Sequence, residues 1–194
     1  MGETINILSI AKNVATLGPG NRYVIWVQGC PFNCKGCITP EGIPLEINKL
    51  VSIEELALEI ISDKNITGVT FSGGEPFLQA SKLSKLVLRI KKERNDLNFI
   101  CFTGYKIDEL IWEEAKSFIA CLDLLIDGKY NEKMNNNLGL RGSTNQNFIF
   151  ISDKLITYKE ELIHHPRKID IRIGNILQSI GIPNKLVKYK YLKK

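Results

Sequence analysis

Ile66-Thr-Gly-Val-Thr-Phe-Ser-Gly-Gly-Glu-Pro76 is the stretch whose reading decides the fold. Ile66 to Phe71 is an apolar, β-branched run of strand length, and Ser72-Gly73-Gly74-Glu75-Pro76 stops it with two glycines and a proline. Upstream, Tyr23 to Gln28 is a second strand candidate, entered through the turn Gly18-Pro-Gly20. A helix belongs between the two runs. Ser52 and Glu55 stand in capping-box spacing, and Ile53, Leu56, Ala57, Ile60 and Ile61 share one face. Downstream the alternation continues. A helix over about Ala80 to Arg94 buries Leu83, Leu86, Val87 and Ile90, and Phe99 to Thr103 reads as a strand. Ile107, Leu110, Ile111, Ala115, Phe118 and Ile119 space out a third helix, then Cys121 to Ile126 and Phe148 to Ser152 read as strands. This order implies βαβ units with parallel strands and right-handed crossovers. A curved, incomplete barrel and a flat open sheet both satisfy that pattern.

The 194 residues suffice for one domain with a sizeable core. An apolar content of 44% and a charged content of 24% are those of an ordinary globular chain. No run approaches the roughly 18 apolar residues of a membrane span. The opening MGETINILSIAKN lacks a secretory pattern, which leads to the expectation of a cytoplasmic protein. The net charge of +5 is concentrated in Lys185-Leu-Val-Lys-Tyr-Lys-Tyr-Leu-Lys-Lys194, read as a solvated, frayed terminus rather than a nucleic-acid contact. We expect a core over residues 1–152 and, over 153–194, an extension of the same domain without an assigned role. Within the extension Lys168-Ile-Asp-Ile-Arg-Ile173 alternates like a half-buried strand, and Gly181-Ile-Pro183 reads as a turn.

Five cysteines without an export signal argue for metal or catalytic thiols rather than disulfides. Cys101 and Cys121 are isolated in apolar settings and read as buried small hydrophobes. The other three form Cys30-Pro-Phe-Asn-Cys34-Lys-Gly-Cys37, close enough to serve one metal centre. A structural zinc site takes four protein ligands, and a cubane cluster normally takes four thiolates. Three thiolates leave one iron of a cubane open to an exogenous ligand, a feature of reactive sites. A zinc knuckle completed by a distant residue is the structural alternative.

Ser72-Gly73-Gly74-Glu75-Pro76 lies at the C-terminal end of a parallel strand, where ligand sites gather in such folds. Its glycines can open backbone groups to a small polar ligand, and Glu75 offers a carboxylate to an ammonium group. Gly128 to Asn147 is long, polar and rich in Asn and Gly, the kind of connection that usually has a function or is disordered. In it, Arg141-Gly-Ser-Thr-Asn-Gln146 has two readings. Either Arg141 anchors a carboxylate through its forked donors in a lid over a site, or Asn145 and Gln146 tie the loop to neighbouring backbone. Trp26 and Phe32 read as packing residues, and Asn33 and Lys35 as solvated ones.

Cx3Cx2C after one strand and Gly-Gly-Glu-Pro after the next resemble the radical S-adenosylmethionine (SAM) superfamily. Within it, the chain resembles the activating proteins of anaerobic (class III) ribonucleoside-triphosphate reductase. The likeness runs through Gly18-Pro-Gly-Asn-Arg22, Ile25-Trp-Val-Gln-Gly-Cys30, Thr70-Phe-Ser-Gly-Gly-Glu-Pro-Phe77, Thr103-Gly-Tyr105, Asp123-Leu-Leu-Ile-Asp-Gly128 and Arg141-Gly-Ser-Thr-Asn-Gln146. Two features depart from that family: Ile38-Thr39 replaces an aromatic residue followed by Asn, and the C-terminal stretch is longer.

The resemblance implies an α/β partial (β/α) barrel of parallel strands in a single domain, with the site at their C-terminal edge. It implies a [4Fe-4S] cluster on Cys30, Cys34 and Cys37, and SAM held at Ser72, Gly73, Gly74 and Glu75, with Thr103, Asp127 and Arg141 facing the same site. It further implies reductive cleavage of SAM and hydrogen abstraction from a glycine of a partner, the large subunit of anaerobic ribonucleotide reductase. Flavodoxin or ferredoxin would supply the electron, and neither a membrane nor a nucleic acid takes part. Two alternatives stand beside it: a radical SAM enzyme that modifies a peptide or another protein, and a non-enzymatic iron-sulfur protein that transfers electrons or senses iron.

Overall fold

The computed structural model describes residues 2–173 and 177–184. Its strands are β1 (Thr4–Val14), β2 (Arg22–Val27), β3 (Lys49–Ser52), β4 (Gly68–Gly73), β5 (Asn98–Phe102), β6 (Leu124–Asp127) and β7 (Asn147–Phe150). They form one open sheet in the order β3-β1-β2-β4-β5-β6-β7. The helices are α1 (Ile53–Ser62), α2 (Ala80–Lys91), α3 (Glu113–Ile119) and the short α4 (Lys159–His164). A hairpin of β8 (Ile169–Ile173) and β9 (Leu177–Gly181) stands apart from the sheet. No helix among the described residues is long and apolar enough to cross a membrane.

The central strands β2, β4, β5 and β6 are parallel, as the βαβ pattern requires. The edges correct the expectation of an all-parallel sheet: β1 and β3 pair antiparallel on one side, and β7 returns antiparallel on the other. The reason for β7 is the connection that precedes it. Between β6 and β7 there is only a 3-10 turn, Glu132–Met134, and without a crossover helix the chain comes back along the same edge. Ser52 does cap α1, its hydroxyl accepting from the Glu55 N–H at 3.5 Å. The third expected helix is broken. A 3-10 turn at Ile107–Glu109 is separated from α3 by Trp112, whose ψ of 155° is extended.

Both faces of the sheet are covered. On one, Leu56, Ile60, Leu83, Leu86, Ile90 and Phe118 of α1, α2 and α3 pack on Ile7, Ile25, Phe71, Phe99 and Leu125. On the other, Val14, Val24, Ile100, Leu124 and Ile126 meet Leu140, Leu155, Leu162, Ile180 and Ile182 from later in the chain. Residues 153–184 therefore contribute to the second core layer. The basic stretch from Lys185 onward lies outside the described residues.

The N-terminal ends of the parallel strands are joined by a fully buried arginine. Arg22 donates to Thr70 Oγ1 at 2.5 Å, Asn98 Oδ1 at 2.7 Å, Val69 O at 2.8 Å and Pro19 O at 3.1 Å. Burial lowers the guanidinium below its ordinary value, and its bonds to neutral oxygens tie β2, β4 and β5 together. Arg22→Met should therefore destabilise the apo chain by about 3 kcal/mol or more, because several buried acceptors lose their donor at once. The midpoint of guanidinium chloride unfolding measures it.

Candidate active site

At the opposite, C-terminal ends of the parallel strands lies a cavity of about 540 Å³, within the usual range for small-molecule sites. Cys30, Cys34, Cys37, Ser72, Gly73, Gly74, Glu75 and Thr103 all line it. The cysteine loop leaves β2 at Gly29, whose φ of +94° favours glycine, and is closed at its base. The Gly29 N–H donates to Gly42 O at 2.9 Å and the Cys30 N–H to Ile43 O at 3.1 Å. Inside the loop, the Cys37 N–H donates to Cys34 O at 3.0 Å in a turn that passes through Gly36 at φ +75°. Phe32 is packed edge-on against Tyr105, with ring centroids 4.8 Å apart. Pro31, Asn33 and Lys35 are exposed, and Ile38 lines the cavity.

All three thiols are half-buried. Among the described residues no three His, Cys, Asp or Glu side chains are gathered tightly enough for a single metal ion. Three thiols on the wall of one cavity suit a cubane, in which each thiolate binds its own iron. Burial pushes the Cys30 thiol up to about 11, and Glu75, Cys34 and Cys37 add to the rise. Cys101 and Cys121 are buried away from the loop, and burial raises both.

Gly73 and Gly74 border the cavity and also lie close against the backbone of β2 and the cysteine loop. A Cβ on Gly74 would stand 2.2 Å from Gly29 O and 2.7 Å from Gly42 O, and one on Gly73 would stand 2.5 Å from Val27 N. The Gly74 N–H donates to Val27 O and the Glu75 N–H to Gly29 O, each at 2.8 Å. The missing side chains thus admit the backbone of β2 and the base of the cysteine loop.

Glu75 is 1% exposed, and its carboxylate is engaged on three sides. It accepts from the Phe77 N–H at 2.9 Å, the Thr103 hydroxyl at 2.8 Å and the Gly104 N–H at 2.8 Å. Burial outweighs these bonds and pushes the carboxyl up to about 7. Thr103, itself on the cavity wall, is thereby tied to Glu75.

Asp127 and Arg141 do not line the cavity. Asp127 is buried and accepts from the Ile107 N–H at 2.9 Å, Asn147 Nδ2 at 2.9 Å and Lys106 Nζ at 3.3 Å, which fixes the strand end. Arg141 donates to Gln146 O at 3.0 Å and lies over the Phe148 ring. Gln146 holds the loop shut, accepting from the Gly142 N–H at 2.8 Å and donating to Gly128 O at 2.7 Å. Of the two readings of this block, the tied loop is the one the geometry displays. Trp26 and Phe32, read as packing, also line the cavity, as do Tyr130, Gly142 and Ile182, none of which was singled out individually as a site residue.

Two outcomes follow from this geometry. Gly74→Ala should lower the melting temperature of the apo chain and the iron content after reconstitution together, because the new methyl displaces Gly29 next to Cys30. Glu75 holds its proton in the folded state up to about pH 7, whereas an unfolded chain has lost it above about 4.5. Its contribution to stability therefore falls as pH rises from about 4.5 to 7 and is level above that. Thermal melts of Glu75→Gln across this window should show a flatter pH dependence than the parent chain, whatever the absolute change.

Residues 16–149 match the family described as a 4Fe-4S single cluster domain. The anaerobic ribonucleoside-triphosphate reductase-activating protein of Haemophilus influenzae is 35% identical over 136 residues, covering 66% of this chain and 87% of its own. Its Vibrio cholerae counterpart is 34% identical over 137 residues, again covering 66% and 87%. That of Escherichia coli K12 is 31% identical over 137 residues, covering 66% and 88%. Among solved structures, QueE from Escherichia coli overlaps 53% of this chain and 52% of its own at a TM-score of 0.39 and 21% identity, too slight a likeness to build on. With three thiols set around one cavity and relatives of this extent, the chain belongs to the 4Fe-4S single cluster domain family, among the anaerobic ribonucleoside-triphosphate reductase-activating proteins.

Proposed function

We propose that the chain is a radical SAM activating enzyme that generates the glycyl radical of an anaerobic ribonucleoside-triphosphate reductase. The observation that carries this reading is the meeting of Cys30, Cys34 and Cys37 with the Ser72–Glu75 turn on one cavity at the strand ends. Cys30, Cys34 and Cys37 hold a [4Fe-4S] cluster. SAM sits against Ser72, Gly73, Gly74 and Glu75, where the turn forms the wall next to the cysteine loop. When bound, the two cofactors together supply a one-electron reductive cleavage that yields a 5′-deoxyadenosyl radical, and this takes a hydrogen atom from the partner's glycine.

The chain's own residues bind, orient and shield. Glu75 holds Thr103 and Gly104 against the turn, so the β4 and β5 loops present one continuous wall. A carboxylate offers about four lone-pair directions, and three are taken here, which leaves Glu75 at most one for an ammonium group. Asp127 and Arg141 act on the loop beyond β6, one step removed from the ligand. The parallel strands β2, β4, β5 and β6 form the curved part of a partial barrel, and residues 1–152 its catalytic core. Pro31, Asn33 and Lys35 are exposed on the cysteine loop, which leaves this side free for a large partner to present its glycine. Flavodoxin or ferredoxin delivers the electron, and the reaction takes place in the cytoplasm, where thiols stay reduced.

Anaerobic reconstitution should install about four iron and four sulfide per chain. Ala at Cys30, Cys34 or Cys37 should abolish the cluster absorbance, and Cys121→Ala should keep it. Incubated with reductant, SAM and the reductase, the loaded protein should form 5′-deoxyadenosine and a glycyl-radical EPR signal on the reductase. SAM cleavage with no signal on the reductase would point to another protein or peptide as substrate. Intact SAM would leave only electron transfer or sensing.

A further inference from the structure

The matched family domain ends at residue 149, but the cavity does not. Ser179, Ile180, Gly181 and Ile182 contribute to its lining. The hairpin that carries them is fastened to β1 and the turn after it: Arg172 donates to Lys12 O at 2.8 Å and Asn13 O at 2.9 Å, and the Thr16 hydroxyl donates to Ile180 O at 3.1 Å. A second fastening joins the extension to the long loop between β6 and β7. Arg167 donates to Asn135 Oδ1 at 2.9 Å, Gly139 O at 3.3 Å and Gly142 O at 3.0 Å, and also to Arg141 O. It reaches Pro183 O at 3.5 Å as well, on the far side of the hairpin.

Each of these acceptors is a neutral amide oxygen, and a planar fork of five N–H donors is the one side chain that serves so many at once. Gly142 is the consequential member, because it lines the cavity. Its N–H is held by Gln146 and its C=O by Arg167, so the peptide is gripped from both ends. A Cβ here would stand 2.8 Å from the Tyr130 ring, which lines the cavity too. The wall made by Tyr130, Gly142 and Gln146 therefore depends on a residue outside the family domain.

We propose that Arg167 is a positioning residue for SAM binding: it locks the Asn135–Gly142 segment to the C-terminal hairpin and so fixes the cavity wall made by Tyr130, Gly142 and Gln146. The proposal rests on the reading that SAM occupies this cavity. The rigidity of the wall is set by the extension.

The test uses the full chain and three variants, Arg167→Ala, Arg167→Lys and Arg172→Ala. Arg172→Ala loosens the same cavity-lining hairpin from β1 while leaving the Arg167 bonds to the loop in place, so it separates the loop clamp from a general loosening of the hairpin. Amide hydrogen exchange of residues 135–146 in the apo chain should speed up in both Arg167 variants and stay as in the parent in Arg172→Ala. In reconstituted protein with parental cluster absorbance, calorimetric titration should give a SAM Kd raised about ten- to a hundredfold by Arg167→Ala, a usual cost of losing a residue that orients a site. Arg167→Lys, which keeps the charge but cannot span the acceptors, should fall between. Should the Ala variant not fold, the Lys variant decides on the same two readouts. Parental SAM affinity in the Arg167 variants overturns the proposal, and so does an equal loss in Arg172→Ala. A parent chain that binds no SAM overturns the functional reading, and exchange that is unchanged in the Arg167 variants overturns the clamp independently.

Discussion

The site depends on one buried carboxylate. Glu75 takes donors from its own turn, from Thr103 and from Gly104, while its backbone N–H reaches Gly29 at the root of the cysteine loop. Three loops that leave three different strands are thereby held within hydrogen-bond distance of one residue. Desolvating a carboxyl to this degree is costly, and the bonds return only part of it, which is why its proton is held up to about pH 7. A junction of this kind is specific because nothing else of the same shape satisfies all its donors. Phe32 extends it on the other side, for a Cβ on Gly104 would stand 2.4 Å from the Phe32 ring. The cysteine loop, the turn after β4 and the turn after β5 therefore cannot shift independently.

The two ends of the parallel strands are built on the same plan with opposite charges. Arg22 gathers neutral oxygens from β4 and β5 at the N-terminal end, and Glu75 gathers donors from the following loops at the C-terminal end. Between them the strands need only apolar packing, which α1, α2 and α3 provide on one face. Asp123 and Asp127 bracket β6 in the same manner, Asp123 accepting from the Phe99 N–H at 2.7 Å and Asp127 from the Ile107 N–H. Buried charged groups at strand ends, each satisfied several times over, fix register where an apolar core alone would allow slippage.

The legible part of the fold was the part whose signals are local. The apolar runs ending at Gln28, Phe71, Thr103 and Ile126 lie within a few residues of β2, β4, β5 and β6, and α2 begins at Ala80 as read. Thr4–Val14 escaped notice, although Ile5 and Ile7 are buried on one face, because bulges interrupt its alternation near Ser9 and Val14. β3 is four residues long with Leu50 half exposed, too short and too open to register. Ile111 carried helical spacing but is 71% exposed; spacing alone cannot tell a buried stripe from a break. At the site, the cysteines and the Gly-Gly-Glu turn were legible because chemistry restricts their residue types. Tyr130 and Ile182 reach the cavity only through long-range folding, and the backbone contacts of Gly73 and Gly74 are ones that a sequence does not display.

The extension has a physical reason that is independent of catalysis. A parallel sheet is stable when both of its faces are covered, and a closed barrel covers its inner face with itself. This sheet is open between β3 and β7, so Val24, Ile100, Leu124 and Ile126 would face water on the side away from the helices. Leu155, Leu162, Ile180 and Ile182 cover them. The cover ends short of the C-terminal strand ends, where Ile182 lies at once in the apolar layer and on the wall of the cavity. A segment that must be present to bury the sheet thus also bounds the site. The Arg167 grip on the Asn135–Gly142 segment is the point at which covering the core and shaping the cavity become one constraint.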